Sequence, residues 1–473
     1  MDIARTGLII TFAAFVIIPL GLHLANRPET GPVAEPLKKL AKLAPFIAPS
    51  VFLSYIPSEG ALAALLATPW LLFTVAVSLV GATRALSRRT LNDPGIGVDA
   101  ALMFLVVGGS WLVIRRAGLQ PLGFSDAIVE LTAAHFHFAG FVLPILSAMI
   151  AERRNRSVVL PAATIIGVPF TALGITLAGT TEFVGATFMA MVGLAVAVQT
   201  IRFARTLSNA PRTLFHISGA SLAGGMFLAI GWAWARQFGW EYLDIPAMVI
   251  THGVLNAFGF GLLGLIAMTM LPPREVTDPI AVCLHLGRPS TSRLTEIRND
   301  QAPLQITNPV GLLHGEVPSG FSHKVWRSSI DHGDFEQASQ AIRAWAGHSR
   351  AGICRQPDLP AILVGETLAM AIPVGPISVS AAARIVEVVD EPDRYGFAYS
   401  TLPHHPEDGE ESFIVTRHPN GDLEILVTAV WRGAAIANYV VPPLTRFLQN
   451  RAINRYLAGI ASFQNGRRLA HAN

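Results

Sequence analysis

Hydrophobic residues form long unbroken runs along the first 270 positions instead of alternating with polar ones. Crossing roughly 30 Å of hydrocarbon takes about 20 apolar residues in a helix, and these runs approach that length. Because the runs are separated by short polar stretches, we expect a polytopic, all-α transmembrane domain over residues 1–270. Nine runs predict nine spans, near residues 7–25, 43–57, 60–82, 99–114, 128–150, 158–178, 182–201, 213–235 and 246–270.

The composition supports a lipid bilayer as the environment of this half. Hydrophobic residues make up 51% of the 473 residues and charged residues only 14%, and the mean hydropathy is +0.46. These proportions exceed the apolar content and fall below the charge content of ordinary soluble domains. We therefore expect an integral membrane protein.

Basic residues between the predicted spans are concentrated in alternate loops, which predicts the orientation because basic loops stay in the cytoplasm. The richer set is Arg27, Lys38, Lys39, Lys42, Arg84, Arg88, Arg89, Arg153, Arg154, Arg156, Arg202, Arg205 and Arg212. The poorer set is Arg5, Arg115, Arg116 and Arg236. This bias predicts a multi-pass protein of the cell (inner) membrane, with the N-terminus outside and everything after Met270 in the cytoplasm.

The pattern changes after Met270, where Leu271-Pro272-Pro273 ends the last helix. We interpret residues 271–313 as a linker, 314–463 as a soluble α+β domain and 464–473 as a tail. Helical spacing predicts one helix over Asp331–His348 and a long C-terminal helix over Ala434–Phe463 across an antiparallel sheet. The predicted strands are Ala361–Ile372, Ile377–Val389, Tyr395–Thr401, Ser412–Arg417 and Leu423–Trp431, with a hairpin turn at Asn420-Gly421.

Charge and motifs narrow the functions open to the chain. Beyond residue 270 there are 18 basic and 20 acidic residues, a near-neutral balance that argues against a nucleic-acid partner. The sequence contains no phosphate-binding GxxxxGK loop, no HExxH and no GxSxG. ATP-driven transport and the common hydrolase reactions therefore lack support in this chain, and a non-enzymatic role is favoured.

Two apolar spans carry ionisable or amide side chains, which are costly in hydrocarbon and usually functional. His135 and His137 point about 200° apart on a regular helix, so they cannot chelate one metal ion. His137 instead shares a face with Glu130, and His252 shares one with Asn256. His137 and Asn256 fall roughly 15 Å below the outer surface at 1.5 Å per residue. We predict an intramembrane polar site made by Glu130, His135, His137, His252 and Asn256.

The alternative for each histidine is an interhelical hydrogen bond that stabilises the bundle by roughly 0.6 kcal/mol and at most about 2 kcal/mol. If the site is functional, three functions remain open. The first is a transporter or channel for a small solute or protons. The second is a redox protein whose cofactor is haem or a metal ion held by His135, His137 and His252. The third is a membrane anchor or sensor whose soluble domain binds a lipid or another hydrophobic ligand. The ligand is unassigned, and a homo-oligomer is compatible with the sequence.

Two segments resemble known families. The run from Tyr395 to Glu407, followed by Gly409-Glu410-Glu411-Ser412-Phe413, resembles the family catalogued as domain of unknown function nineteen-ninety, over roughly residues 314–463. That resemblance implies a helix-grip-like ligand-binding fold. The matching positions are Tyr395, Gly396, Phe397, Tyr399, Thr401, Pro403, His405, Pro406, Glu410 and Glu411.

From the residues alone, we interpret positions 404–411 as a polar loop between strands. The loop is either solvated or suited to metal binding and acid–base chemistry. The membrane half is similar to YndJ-type membrane proteins through two segments, HFHFAGF (135–141) and THGVLNAFGF (251–260). That family is often described as containing candidate transporters.

Overall fold

The computed structural model describes residues 3–26, 34–88, 90–154, 157–272, 283–309, 311–356, 361–375, 377–403, 405–435 and 442–462. Within these ranges the chain forms two compact units, a helical unit within residues 1–85 and 91–277 and a sheet unit within residues 278–473 to which residues 86–90 are also assigned. The predicted tail, residues 464–473, lies outside the described residues. The combination of a polytopic helical part and an α+β part confirms the predicted fold class.

The helical unit is built from antiparallel apolar helices, eight of which are long and apolar enough to cross a membrane among the described residues. These eight are Gly7–Ala25, Ala61–Ser87, Ile96–Arg116, Asp126–Arg154, Val159–Leu177, Thr180–Ala204, Asn209–Phe238 and Ile245–Thr269. The element bounds are α1 Ile3–Phe12, α2 Ile18–Ala25, α3 Ala34–Ile47, α4 Pro49–Ser54, α5 Ala61–Ser87, α6 Ile96–Arg116, α7 Asp126–Phe138, α8 Val142–Arg154, α9 Val159–Leu177, α10 Thr180–Ala204, α11 Asn209–Phe238, α12 Ile245–Met248 and α13 Leu263–Thr269.

The second predicted span forms two shorter helices, α3 and α4, joined at Ala48. Proline at positions 45 and 49 accounts for the interruption, since proline lacks the backbone donor that a regular helix needs. Helix α3 packs against α2, and α4 packs against α1. The pair therefore runs back along the first helix, and neither helix is among the eight that are long enough to cross a membrane.

Two buried arginines show where the passes begin and end. Arg84 contacts Asp99 at 2.7 Å and reaches the carbonyl oxygen of Ala25 at 3.5 Å, so the ends of α2 and α5 and the start of α6 lie together. At the opposite end, the Gly60 amide donates to the carbonyl oxygen of Arg116 at 2.9 Å. The chain between residues 25 and 60 thus connects opposite ends of the bundle.

Three passes depart from regular α-helical geometry. The first contains a π-helical segment at Ala13–Ile17, and the last contains two, at Val249–Gly253 and Leu255–Leu262. The pass Asp126–Arg154, the most buried of the eight, breaks at residues 139–141 between α7 and α8. Single π-helical turns and breaks occur frequently at functional sites.

The sheet unit is one antiparallel sheet with helices on both faces. Its order is β2-β8-β7-β6-β5-β4-β3, and β1 pairs separately with β5. The bounds are β1 Cys283–Leu286, α14 Thr291–Gln301, β2 Ser322–Ile330, α15 Phe335–Arg343, α16 Ala346–Arg350, β3 Cys354–Arg355, β4 Thr367–Val374, β5 Ile377–Glu391, β6 Arg394–Thr401, β7 Glu407–Arg417, β8 Leu423–Gly433 and α17 Pro442–Ser462.

The five strands predicted from sequence are present, and the Asn420-Gly421 turn joins β7 to β8 as predicted, with Gly421 at φ 88°. Three features differ from expectation. The segment interpreted as a linker contains β1 and α14, which join the sheet unit. The single helix predicted over Asp331–His348 is divided at Trp345, whose φ of 57° is left-handed. Strand β7 begins at Glu407, so most of the predicted polar loop is paired sheet.

The two faces of the sheet have different partners. One face packs against α15, α16 and α17 around the side chains of Phe397, Phe413 and Val427. The other packs against α14 through Leu294 and Ile297. Because side chains alternate between faces along a strand, neighbouring residues of one sequence motif are directed into two different environments.

Candidate functional site

Glu130 lies in an ionic cluster at the end of the bundle where α5 begins and α6 ends. Its side chain is fully buried, one carboxylate oxygen is 3.2 Å from Nε of Arg115, and the other accepts a hydrogen bond from the Tyr55 hydroxyl at 2.5 Å. Arg115 also contacts Glu59 at 2.5 Å and Asp126 at 3.9 Å. The buried charges are therefore compensated locally, as burial requires.

Arg116 completes this cluster by holding the chain between α4 and α5. Its guanidinium donates to the carbonyl oxygens of Ser54 and Pro57, each at 2.9 Å, and lies 4.8 Å above the Tyr55 ring. Two arginines that the sequence places in an outer loop are thus inside the bundle. The cluster thus connects α4, the residues before α5, the end of α6 and α7.

His137 is fully buried, and both of its ring nitrogens have partners. Its Nδ1 bonds to the carbonyl oxygen of Ala133 at 2.7 Å, and its Nε2 accepts a hydrogen bond from Nε1 of Trp70 at 2.9 Å. A Cβ at Gly108 would lie 2.8 Å from the same ring, so glycine permits the close approach. The geometry corresponds to the interhelical hydrogen bond considered as the alternative from sequence.

His135 lies on the opposite side of α7 and is exposed at the surface of the protein. Its Nδ1 bonds to the carbonyl oxygen of Leu131 at 2.7 Å. Its ring is close enough to that of His252 for the two to interact electrostatically. Nδ1 of His252 donates to the carbonyl oxygen of Gly225 at 2.8 Å. Among the described residues, no hydrogen bond engages Nε2 of either ring.

Asn256 lies one turn beyond His252 in the π-helical part of the last pass. Its amide nitrogen donates to the carbonyl oxygen of His252 at 2.8 Å, while its buried Oδ1 has no hydrogen-bond partner among the described residues. A Cβ at Gly225 would meet this amide at 2.7 Å, which explains a glycine at that position of α11. An unpaired buried acceptor is costly unless something occupies it.

The irregular segments of three passes meet beside these groups. Helix α7 contacts the π-helical segments Ala13–Ile17 and Leu255–Leu262, and Phe12 stacks on Phe258 with ring centroids 4.6 Å apart. The backbone amide of Gly140 donates to the carbonyl oxygen of His135 at 2.9 Å, which closes the end of α7. Distorted backbone and open imidazoles therefore occur together.

The five predicted membrane residues thus separate into three environments. Glu130 belongs to the ionic cluster, His137 to the packing between α5 and α7, and His135, His252 and Asn256 to the region of the irregular helices. The expected pairing of His137 with Asn256 is not among the described contacts; His135 is the histidine on the side of His252. Residues two positions apart in a regular helix lie on opposite sides. In α7 the side of His135 faces His252, and the side of His137 faces Trp70 of α5.

Several motif residues of the sheet unit have structural roles. A Cβ at Gly396 would lie 2.2 Å from the carbonyl oxygen of Phe413, so only glycine fits there. Thr401 accepts a hydrogen bond from the Gly409 amide at 2.9 Å. Buried Glu410 accepts from the amides of Gly311 and Leu313 and so fixes that loop. Further motif positions pack around them: Tyr395 lies under Arg343, Pro406 accepts from the Ala434 amide, and His405 bonds to the carbonyl oxygen of Glu407, with Pro403 just before it.

Glu411 points to the face opposite Glu410, towards α17. It accepts a hydrogen bond from the Tyr399 hydroxyl at 2.5 Å. Desolvation raises the pKa of Glu411 to about 7 and that of Glu407, on the same face, to about 8. Burial lowers the pKa of His348 to about 3, so this imidazole is neutral at physiological pH. Both glutamates are close to protonation equilibrium near neutrality.

Sequence reasoning did not identify Arg115, Trp70, His348 or Tyr456. Arg115 ends an apolar run, which predicts a loop position, whereas the side chain is buried against Glu130. Trp70 and Tyr456 have aromatic side chains that any buried helix carries, so composition gave no signal. His348 lay at the end of a predicted helix, and only the left-handed turn at Trp345 directs it inward.

Comparison with known proteins divides the chain in the same way. The family model described as YndJ-like protein matches residues 8–260, and the one described as Domain of unknown function (DUF1990) matches residues 307–459. The "Uncharacterized membrane protein YndJ" of Bacillus subtilis is 29% identical over 200 residues, which covers 40% of this chain and 35% of that protein. A "UPF0548 protein" of Deinococcus radiodurans is 40% identical over 73 residues, covering 15% of this chain and 37% of that protein.

The chain thus spans little more than a third of each of these relatives. Among solved structures, a hypothetical protein from Helicobacter pylori aligns with 34% of this chain and 96% of its own, at 13% identity and a TM-score of 0.26.

His137→Ala should destabilise the helical unit. The substitution leaves the Trp70 indole donor unpaired and opens a cavity, so we expect the free energy of unfolding to fall by about 2 kcal/mol. The unfolding midpoint of the full chain in bicelles measures the change. His216→Ala is the control, because among the described residues that ring bonds to the Arg212 carbonyl of its own helix alone; an equal loss in both variants would contradict a special role for His137.

Glu407→Gln should stabilise the sheet unit, and increasingly so at higher pH. The unfolded carboxyl group ionises near its ordinary pKa of 4.5, whereas the folded one does so near 8. The contribution of Glu407 is therefore complete below pH 4.5 and is lost as the pH rises through 8.

The denaturant midpoint for loss of amide protection in β6 and β7 of the full chain, measured between pH 5 and 8, tests this prediction. Glu316→Gln, at an exposed side chain, is the control and should leave the midpoint unchanged. A pH-independent effect of Glu407→Gln would refute the linkage.

Proposed function

This chain belongs to the YndJ-like family, and we propose that its helical unit conducts protons through the membrane at the region of His135, His252 and Asn256. The observation that carries the proposal is the meeting of three irregular helices beside two imidazoles with open Nε2 atoms. Irregular backbone at membrane depth is tolerated where it is buried in protein or lines a polar cavity. Broken helices of transporters bind their substrates at such places.

The imidazole pair suits proton transfer because each ring exchanges protons through one nitrogen while the other is held by a backbone carbonyl. Nδ1 of His135 is held by Leu131 and Nδ1 of His252 by Gly225. Histidine is the side chain whose unperturbed protonation equilibrium lies nearest neutrality. The unpaired Oδ1 of Asn256 supplies an acceptor for a water molecule or a small solute that enters the same region.

A redox function with His135, His137 and His252 as haem or metal ligands is the second candidate, and it has less support. His137 would have to exchange its hydrogen bond with Trp70 for a ligand bond. Among the described residues, no three histidine, cysteine or acidic side chains are grouped to hold a metal ion. A Soret band in the purified protein would favour this candidate over proton conduction.

Proton flux into liposomes tests the proposal directly. Full-length protein is reconstituted with an internal pH-sensitive dye, and a potassium diffusion potential drives protons inward. We expect flux above that of protein-free vesicles and a loss of at least about tenfold in the His135→Ala/His252→Ala double variant, a barrier change of about 1.4 kcal/mol.

His216→Ala is the matched control for this flux, because its imidazole is held in the same way by its own helix. Its flux should equal that of the unsubstituted protein. Flux no faster than in empty vesicles, or an undiminished flux in the double variant, would overturn the proposal.

We further propose that the N-terminus faces outward and the sheet unit lies in the cytoplasm. An odd number of passes would place the two ends of the helical unit on opposite sides, and the basic residues favour a cytoplasmic position for the end nearer Lys38, Lys39 and Lys42. Arg84, Arg115 and Arg116 carry less weight than the sequence suggests, since all three are buried.

A reporter fused after the sheet unit tests this orientation. Green fluorescent protein fluoresces in the cytoplasm, whereas alkaline phosphatase is active only outside it. We expect fluorescent cells and inactive phosphatase. The reverse pattern would show that the positive-inside interpretation is wrong.

A further inference from the structure

Helix α3 carries an exposed row of side chains that is basic at one end and apolar at the other. Lys39, Lys42, Leu43 and Phe46 follow the spacing i, i+3, i+4 and i+7, which places four side chains along one face of an α-helix. All four are exposed, Leu43 to 45% and Phe46 to 79%. We call these four residues the amphipathic stripe.

The opposite side of α3 is buried against the protein. Leu37 and Ala44 have no exposed surface, and α3 packs against α2 and the π-helical segment Ala13–Ile17. These two residues lie about 180° around the helix from the amphipathic stripe at 100° per residue. The packing of the buried side therefore fixes the rotation of α3, and it leaves the amphipathic stripe facing the surroundings of the helical unit.

The two lysines of the amphipathic stripe have no anionic partner among the described residues. Residues 36–58 contain no aspartate or glutamate, and neither ammonium group makes a hydrogen bond or an ion pair with a described residue. Arg84, in contrast, is buried against Asp99. Lys38 interacts within the protein and is left out of the stripe. The stripe thus carries two positive charges that the described part of the chain does not compensate.

The order of charge and apolar surface along the amphipathic stripe matches one leaflet of a phospholipid bilayer. Helix α3 leads towards α4, whose last residue, Ser54, accepts a hydrogen bond from Arg116 at the far end of the bundle. The lysines therefore lie nearer the membrane surface than Phe46, which follows Lys39 by about 10 Å at 1.5 Å per residue. Lysine side chains can extend from such a position to the headgroups while their methylene groups stay in apolar surroundings.

We propose that the amphipathic stripe binds one anionic phospholipid, with its phosphate between Lys39 and Lys42 and an acyl chain along Leu43 and Phe46. The two lysines are one helical turn apart, so both ammonium groups reach oxygens of the same phosphate and donate charge-assisted hydrogen bonds to it. The acyl chain covers the leucine and phenylalanine side chains that the protein leaves exposed. The lipid thus supplies both the anion and the apolar surface that the stripe lacks.

An anionic lipid fits the amphipathic stripe better than the other occupants that its surface suggests. A second copy of the chain, related by a two-fold axis along the membrane normal, would bring the lysines of both copies to the same level and oppose like charges. A zwitterionic lipid carries a positive group of its own, so it would leave the lysines without net compensation. Free phosphate would pair with the lysines but would leave Leu43 and Phe46 uncovered.

Native mass spectrometry of the full chain in detergent micelles tests the proposal. The anionic probe is phosphatidylglycerol, and phosphatidylcholine with the same acyl chains is titrated separately as the zwitterionic probe. We expect the protein to bind phosphatidylglycerol at least about tenfold more tightly than phosphatidylcholine, because both lysines attract a net negative headgroup. Millimolar inorganic phosphate at constant ionic strength should not displace the lipid, since the phosphate ion has no acyl chain for the apolar half of the stripe.

Paired variants assign the binding to the amphipathic stripe. Lys39→Gln/Lys42→Gln should weaken phosphatidylglycerol binding by about tenfold, whereas Lys39→Arg/Lys42→Arg should retain it because the two charges remain. The matched control is Arg202→Gln/Arg205→Gln, which removes two exposed charges with the same i, i+3 spacing at the end of α10. Its affinity for phosphatidylglycerol should equal that of the original protein.

A change in the apolar half of the stripe separates a bound lipid from a bound anion. Phe46→Ser should weaken phosphatidylglycerol binding by about threefold or more, since less apolar surface meets the acyl chain, and should leave the unfolding midpoint unchanged because this ring is exposed. Equal affinities for the two lipids, displacement by phosphate, or undiminished binding in Phe46→Ser or Lys39→Gln/Lys42→Gln would each overturn the proposal. An equal loss in Arg202→Gln/Arg205→Gln would also overturn it, whatever the outcome of the proton-flux assay.

Discussion

Within hydrocarbon, no water molecule can replace a backbone hydrogen bond that a helix gives up, and this constraint shapes the whole helical unit. Each irregularity therefore has a local substitute. The Gly140 amide returns to the His135 carbonyl, and the Ser218 hydroxyl donates to the Phe260 carbonyl at 3.0 Å. Such substitutes permit three helices to distort where they contact one another. The place where the bundle is least regular is consequently the place where side chains and backbone have unused hydrogen-bonding capacity.

Buried ion pairs hold the ends of the same bundle. Arg84 with Asp99 at one end, and Arg115 with Glu130 at the other, connect passes that are distant in sequence. Breaking such a pair leaves an uncompensated charge, which is far more costly than the pair itself is stabilising. The ends that these pairs connect are thus specified rigidly.

The sequence predicts those parts of the architecture that depend on residues close together in the chain. Apolar runs predict the passes, and Asn420-Gly421 predicts the hairpin between β7 and β8. Which side chains meet between different helices or strands depends on packing and cannot be predicted from residues close together in the chain. The spacing of His135 and His137 establishes that they face apart, but only the packing of α5 decides that His137 meets Trp70. Likewise, alternation along β7 separates Glu410 from Glu411, yet the sequence does not say which of the two faces α17.

The close approach of Gly108 to His137 links two positions that lie on different helices. Any side chain at position 108 would occupy the volume of the imidazole, 2.8 Å from its nitrogen. Relatives in which the histidine is replaced by a small residue can accept an alanine or serine there, whereas those that retain the histidine cannot. Residues 108 and 137 should therefore vary as a pair among related sequences, a substitution at one position being accompanied by a substitution at the other.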